Sequence, residues 1–262
     1  MPFQTIRLER DARGVAALTL ARPDKHNSLN ATMIADLAVA ARQIADDPAI
    51  RAVVLTGEGE SFCAGGDLGW MRQQMEADRA TRISEALSLA RMLKALNDLP
   101  KPLIARVNGQ AYGGGIGMIS VCDAAVAATT AKFGLTEVRL GLIPATISPY
   151  VVARLTPPRA REVFFSGRIF DAEEAARLGL ITRAVAPADI DAAVEAEVAP
   201  YLAAAPGAVA AAKRLVARFS PPIGEAELQA TATALADQWE TPEAAEGIAA
   251  FFARRSPPWR AG

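Results

Sequence analysis

Two stretches decide how this chain is read: Phe62-Cys63-Ala64-Gly65-Gly66-Asp67 and Ala111-Tyr112-Gly113-Gly114-Gly115-Ile116-Gly117. Each follows a short apolar run with the character of a buried strand, Arg51 to Thr56 and Pro102 to Val107. Side chains this small let a ligand come close to the main chain. Two such loops can aim two backbone N–H groups at one oxygen, which is an oxyanion hole. The triple glycine sits where a strand ends and a helix begins, and a helix start presents unpaired N–H groups and a partial positive charge. A phosphate site is the rival reading. The dinucleotide fingerprint G-x-G-x-x-G fails, because its sixth place is Met118 or Ser120, and no Gly-Lys-Ser/Thr follows. Close helix packing with no ligand stays open at this point.

Outward from the loops the pattern is strand–helix alternation. Residues 3–9 and 14–20 read as strands joined through Asp11-Ala12-Arg13-Gly14. Asn30 is placed to cap a helix carrying Met33, Ile34, Leu37 and Ile44 on one face. A single long helix is predicted from about Asp67 to Asp98, and further strands over Ala124 to Ala128 and Ile181 to Val185. From Thr146 onward the pattern is mostly helical. Such alternation predicts an α/β core with parallel strands. The predicted division is a core over 1–200 and a helical segment over 201–262.

The 262 residues are 51% hydrophobic and 22% charged, which argues against disorder. A net charge of −1 with scattered Arg and Lys does not advertise a nucleic-acid partner. Two cysteines without a CxxC, and no recognisable signal peptide, point to the cytoplasm. No apolar stretch approaches a bilayer span. His26 is the only histidine, so a multi-histidine metal site is excluded within one chain and no metal is expected. Catalysis by a carboxylate and backbone dipoles rises accordingly.

Glu137 is the candidate carboxylate. It lies in Phe133-Gly134-Leu135-Thr136-Glu137-Val138-Arg139-Leu140-Gly141-Leu142-Ile143-Pro144, a largely apolar setting that demands a partner, water or a raised pKa. An ion pair with Arg139 and a tuned acid/base role are both compatible with the segment. Asp67 is placed as a helix cap, Cys63 as a packing residue without a titratable neighbour, and Trp70 and Met71 as core or pocket walls.

Together these residues resemble the crotonase, or enoyl-CoA hydratase/isomerase, superfamily. The likeness runs from about Ile6 to Trp259. It rests on Arg22-Pro23-Asp24-Lys25-His26-Asn27-Ser28-Leu29-Asn30, on Phe62 to Leu68, on Val107-Asn108-Gly109 with the triple glycine, on Cys122-Asp123, on Phe133 to Pro144 and on Arg254-Arg255-Ser256-Pro257. The resemblance implies a spiral of ββα units with a C-terminal helical segment that builds a trimer contact, trimers often pairing into hexamers. It implies a coenzyme A thioester as substrate, so that coenzyme A is no separate cofactor. Ala64 and Gly114 would donate N–H groups to the thioester carbonyl. Lys25, His26 and Asn27 would lie near the adenine and ribose, with Gly65, Gly66, Asp67 and Leu68 along the ligand and Arg254 near its phosphates. Trp70, Tyr112 and Gly117 would border the acyl pocket.

Typical hydratases of the family carry a second glutamate where this chain has Gly117. Single-glutamate relatives often migrate double bonds instead. A closer likeness, over Gly66 to Met71, Gly113 to Gly117 and Leu135 to Tyr150, is to bacterial methylglutaconyl-CoA hydratases and to relatives acting on isohexenylglutaconyl-CoA. The expectation is therefore hydration of a 2-enoyl-CoA, 3-methylglutaconyl-CoA or a related branched acyl-CoA, with Glu137 moving the proton. The alternatives are a Δ3,Δ2-enoyl-CoA isomerase and a non-catalytic acyl-CoA binder.

Overall fold

A computed structural model describes residues 2–260. Met1, Ala261 and Gly262, which the division into 1–200 and 201–262 included, lie outside the described residues. The chain begins with an antiparallel hairpin, β1 (Ile6–Arg10) and β2 (Val15–Leu20), in the register Ile6 opposite Leu20. Asp11 closes its turn, its Oδ1 accepting from the N–H groups of Arg13 and Val15, both at 2.9 Å.

From there β3 (Ala52–Gly57), β5 (Leu103–Val107), β7 (Ala124–Ala128) and β10 (Arg183–Val185) extend the sheet in parallel, in the order β1-β2-β3-β5-β7-β10. All five residues of β7 are buried, as a parallel strand covered on both faces requires. Helix α8 (Ile190–Ala203) covers one face, setting Ile190, Val194 and Val198 against Ala52, Ile104 and Val126. The main core fills the other face, where α1 (Ala31–Asp46) lies with its N-terminus capped by Asn30, whose side chain accepts from Met33 N at 2.9 Å.

A second sheet is built from three-residue strands: β4 (Ser61–Cys63), β6 (Gln110–Tyr112), β8 (Lys132–Gly134) and β9 (Ile169–Asp171), in that order. Three times the chain runs one strand in the large sheet, then a short strand in the small one, then helix, which is the spiral that the resemblance implies. None of the four short strands is legible in the sequence, because three residues are too few to show a period.

The helix expected over 67–98 is two, α2 (Leu68–Glu76) and α3 (Arg79–Asn97). Asp78 makes the break by capping α3, accepting from Thr81 N at 2.7 Å. The triple glycine opens α4 (Gly114–Ser120), and α5 (Ser148–Leu155), α6 (Pro157–Phe164) and α7 (Ala172–Leu178) follow. Of the last three helices, α9 (Pro206–Phe219) buries no residue. By contrast α10 (Glu225–Trp239) packs Leu228 and Ala232 against Ala86, Leu87 and Ala90 of α3. Then α11 (Pro242–Phe252) sets Ala244 and Ile248 beside Met71, Leu142 and Trp239. Two of the C-terminal helices thus fold back onto the same chain.

Candidate active site

The first glycine loop is held by the polar segment before α1. Asn27 is fully buried and has a positive φ of 54°. Its Nδ2 donates to the carbonyls of Glu58 (2.9 Å) and Ser61 (2.8 Å), and its Oδ1 accepts from Arg22 N at 2.9 Å. Both of its amide donors and its oxygen bond the chain, and its complete burial corrects the expectation that it contacts a nucleotide. Arg22 pairs with Asp67 at 2.8 Å, and both side chains are largely shielded. Asp67 also caps α2, accepting from the N–H groups of Gly69 (2.8 Å) and Trp70 (3.3 Å). It therefore shapes the loop from outside the cavity lining.

This lacing also reassigns one amide. The Ala64 N–H donates to the His26 carbonyl at 2.9 Å, so it is not free to meet a ligand. Two residues on, Gly66 is exposed, and its N–H has no partner among the described residues. The Gly114 N–H, at the start of α4, is likewise unpartnered among them. The two loops abut: a Cβ placed on Gly65 would come 3.1 Å from the Tyr112 carbonyl oxygen. Gly66 and Gly114 both line one cavity of about 940 Å³. That is a common size for a site that takes a sizeable small-molecule ligand.

Glu137 opens a 3₁₀ turn, Glu137–Leu140, directly beside the triple glycine. Gly113 has φ +47°, and a Cβ there would stand 2.7 Å from Glu137 Oε1, so this position needs glycine for backbone and for space. The carboxylate lies against the start of α4, and its Oε2 is sealed from solvent with no hydrogen-bond partner among the described residues. Burial pushes its pKa up to about 7. Arg139 forms no ion pair with it; that side chain is exposed and lies over Gly167. Of the two readings open in the sequence, the unpaired, tuned carboxylate is the one the geometry matches.

Ala64, Gly65, Gly66, Leu68, Trp70 and Tyr112 line the cavity as expected. Trp70 is held by its indole N–H, which donates to Glu85 Oε2 at 3.1 Å. Lys25 and His26 are exposed and outside the lining, as is Arg254. The basic residues that do reach the wall from the C-terminus are Arg255, paired with Glu246, and Arg260. Cys63 is buried with its thiol pushed up to about 12, which suits packing and not attack.

Gly117 is the main correction. It does not line the cavity; it is buried beneath Ile147, whose Cγ2 would lie 2.5 Å from a Cβ at position 117. Ile147 takes the wall instead, next to Thr146, which is only 4% exposed. Sequence reasoning misses Thr146 and Ile147 because their relation to Gly117 arises only when the segment after Pro144 folds over α4. The paired small and large residues at 117 and 147 are a signal only in hindsight.

An α/β spiral with one sealed carboxylate beside two unpartnered amides at a single cavity is the arrangement that the crotonase resemblance implies. The family model described as enoyl-CoA hydratase/isomerase matches residues 10–262. An enoyl-CoA hydratase structure from Mycobacterium smegmatis is 36% identical, with TM-score 0.80, covering 98% of this chain and 100% of that one. Pseudomonas aeruginosa AtuE is 35% identical, with TM-score 0.80 and the same coverage of 98% and 100%. The (E)-benzylidenesuccinyl-CoA hydratase of Thauera aromatica is 33% identical over 248 residues, 94% of this chain and 95% of that protein. The chain belongs to the enoyl-CoA hydratase/isomerase family. It is an enzyme of that family, a hydro-lyase for enoyl-CoA thioesters.

Proposed function

We propose that the enzyme adds water across a 2-enoyl-CoA double bond with one carboxylate, Glu137, and with the amides of Gly66 and Gly114 as the oxyanion pair. The water oxygen bonds to Cβ, the π electrons move into the thioester as an enolate, and the water proton passes to Glu137. The same carboxyl group then returns a proton to Cα, so that water is added and the carboxylate regenerated. The two amides stabilise the enolate oxygen, each by about 3–4 kcal/mol. The carrying observation is the Glu137 carboxylate: buried, unpaired, and near pH 7 in its titration, where an acid/base group is most effective.

The finer assignment is a branched glutaconyl-type acyl group, 3-methylglutaconyl-CoA first. It is supported by the segment Leu135 to Tyr150. The Thauera relative adds to it, since benzylidenesuccinyl-CoA is also an enoyl thioester with a second carboxyl group. Exposed Lys25 and His26 are left to the adenine end of coenzyme A, and Arg255 and Arg260 to its phosphates. A homotrimer or homohexamer completes the reading.

Loss of enoyl absorbance with purified protein and 3-methylglutaconyl-CoA, against crotonyl-CoA, tests the substrate. Glu137→Gln should lower kcat by about 10²–10⁴ while saturated acyl-CoA still binds. In the wild type kcat/KM should rise through about pH 7 as the carboxylate ionises. Full turnover in the Gln variant would remove Glu137 from the chemistry. The single carboxylate also suits double-bond migration, because Ile147 leaves no room for a second one. Solvent ¹⁸O separates the two: a hydratase places it on Cβ, an isomerase incorporates none.

A further inference from the structure

The proposed hydration leaves one question of chemistry. A water that attacks Cβ must be held by more than the group that takes its proton, or its lone pair is not aimed. Among the described residues Glu137 is the only carboxylate in the cavity lining, and position 117 cannot supply another, because Ile147 stands 2.5 Å from where its Cβ would begin.

The cavity wall does carry hydroxyls: Tyr112, Thr136, Thr146 and Ser166. They are not equivalent. Tyr112 and Thr136 are half-buried, and Ser166 Oγ accepts from Arg168 N at 3.4 Å. Thr146 alone is a buried polar residue of the core, at 4% exposure, and its hydroxyl makes no hydrogen bond among the described residues. Among those residues the only side-chain polar atom both sealed and without a partner is Glu137 Oε2, so the Thr146 oxygen opens on the cavity that Thr146 lines. A hydroxyl in an apolar wall with no protein partner is unfavourable unless something in the cavity bonds it.

We propose that the Thr146 hydroxyl binds the oxygen that is added at Cβ, holding the attacking water in the forward reaction and the 3-hydroxyl of the product in the reverse. Thr146 takes the orienting half of what a second carboxylate would do, and Glu137 keeps the proton. A hydroxyl suits this because it donates and accepts at once. It can accept from the water hydrogen that stays on oxygen, or donate to the hydroxide-like oxygen as its bond to carbon breaks and Glu137 returns the proton that makes it water. It takes no proton itself, so Glu137 still accounts for every proton moved.

This inference rests on the single-carboxylate reading of the site, and the test separates the two. Glu137→Gln protein serves as the host, so that ligands are not turned over. Dissociation constants for 3-hydroxybutyryl-CoA and butyryl-CoA are measured by calorimetry in that host, with Thr146 intact and with Thr146→Val or Thr146→Ser added. With Thr146 present the hydroxylated ligand should bind about five- to tenfold tighter, as one neutral hydrogen bond allows. The near-isosteric Thr146→Val should abolish that preference without weakening butyryl-CoA, and Thr146→Ser should restore it. In the otherwise native enzyme Thr146→Val should lower kcat more than it changes KM. An absent preference with Thr146, or one that survives Thr146→Val, overturns the proposal whatever happens to kcat. Full activity of Glu137→Gln would instead overturn the carboxylate reading, and the role of Thr146 would then be decided in the native enzyme, where Thr146→Val must lower kcat more than it changes KM and Thr146→Ser must restore it.

Discussion

Glu137 shows how one side chain ties function to stability. Its carboxyl titrates near 7 when folded, against the usual 4.5, because burial disfavours the charged form. Between those values the folded chain holds a proton that the unfolded chain has released. The stabilisation is therefore complete below about pH 4.5 and is lost as pH rises through 7, after which it changes no further. A shift of this size corresponds to about 3 kcal/mol. Glu137→Gln carries no such charge, so its unfolding free energy should stay level where wild type declines. Chemical denaturation of both proteins at pH 4.5 and pH 8 measures this: the Gln variant should gain on wild type only at the higher pH. A gap of equal size at both pH values would show that the carboxylate is not strained by burial. Local residue type in the sequence exposed this group, since a glutamate among apolar neighbours must be paired or shifted. It did not expose which amides face it. Ala64 and Gly66 are both small and two apart, and only the fold directs the Ala64 N–H to His26.

At the scale of elements, α4 and the wall that covers it form one unit. Gly117 and Ile147 fit because one has no side chain where the other has a branch. Gly117→Ala gains up to about 1 kcal/mol in helix propensity. It also drives a methyl to 2.5 Å from Ile147 Cγ2. Overpacking of this kind costs about 1–3 kcal/mol, so the net change in the single variant should be a modest loss. The pair resolves it: in Ile147→Ala, which removes that branch and leaves only the position-147 Cβ at 3.0 Å, Gly117→Ala should cost less than it does beside Ile147. A double-mutant cycle should then show a coupling above about 1 kcal/mol. Additive effects would mean that the two elements do not meet as described. The same scale marks what the sequence revealed. The central strands of the large sheet, β3, β5 and β7, were legible as largely apolar runs, and the β1–β2 hairpin because a turn rich in polar residues divides it. The small sheet was not, since Ser61–Cys63 or Gln110–Tyr112 carries its pairing information in partners distant along the chain. The single helix read over 67–98 missed the cap at Asp78, because an acidic residue in a charged stretch looks like any solvated position.

The whole molecule leaves one face without a counterpart. Helices α10 and α11 close back on α3 and on the turn that carries Glu137, so the cavity is walled by one chain, with Leu235, Trp239 and Phe251 from the C-terminal helices. Helix α9 behaves differently. Leu215, Val216 and Phe219 are 58%, 69% and 82% exposed. The polar tether of α9 is Lys213, whose Nζ donates to Asp123 at 2.6 Å and to the Lys101 carbonyl at 3.0 Å. Three large apolar side chains displayed together on one helix are the kind of surface that the proposed assembly would cover. The proposed trimer or hexamer gives them an occupant, a second copy of the chain. Sedimentation of the wild type should then give a multiple of the 27.5 kDa chain mass. Val216→Glu with Phe219→Glu should shift it toward one chain, because a buried unpaired carboxylate is costly at an interface. Since both substitutions lie on a helix that buries nothing of its own core, the dissociated chain should keep its secondary structure. A wild type that sediments as a single chain at micromolar concentration would remove the assembly, and a doubly substituted protein that keeps the wild-type mass would place the contact on some other face.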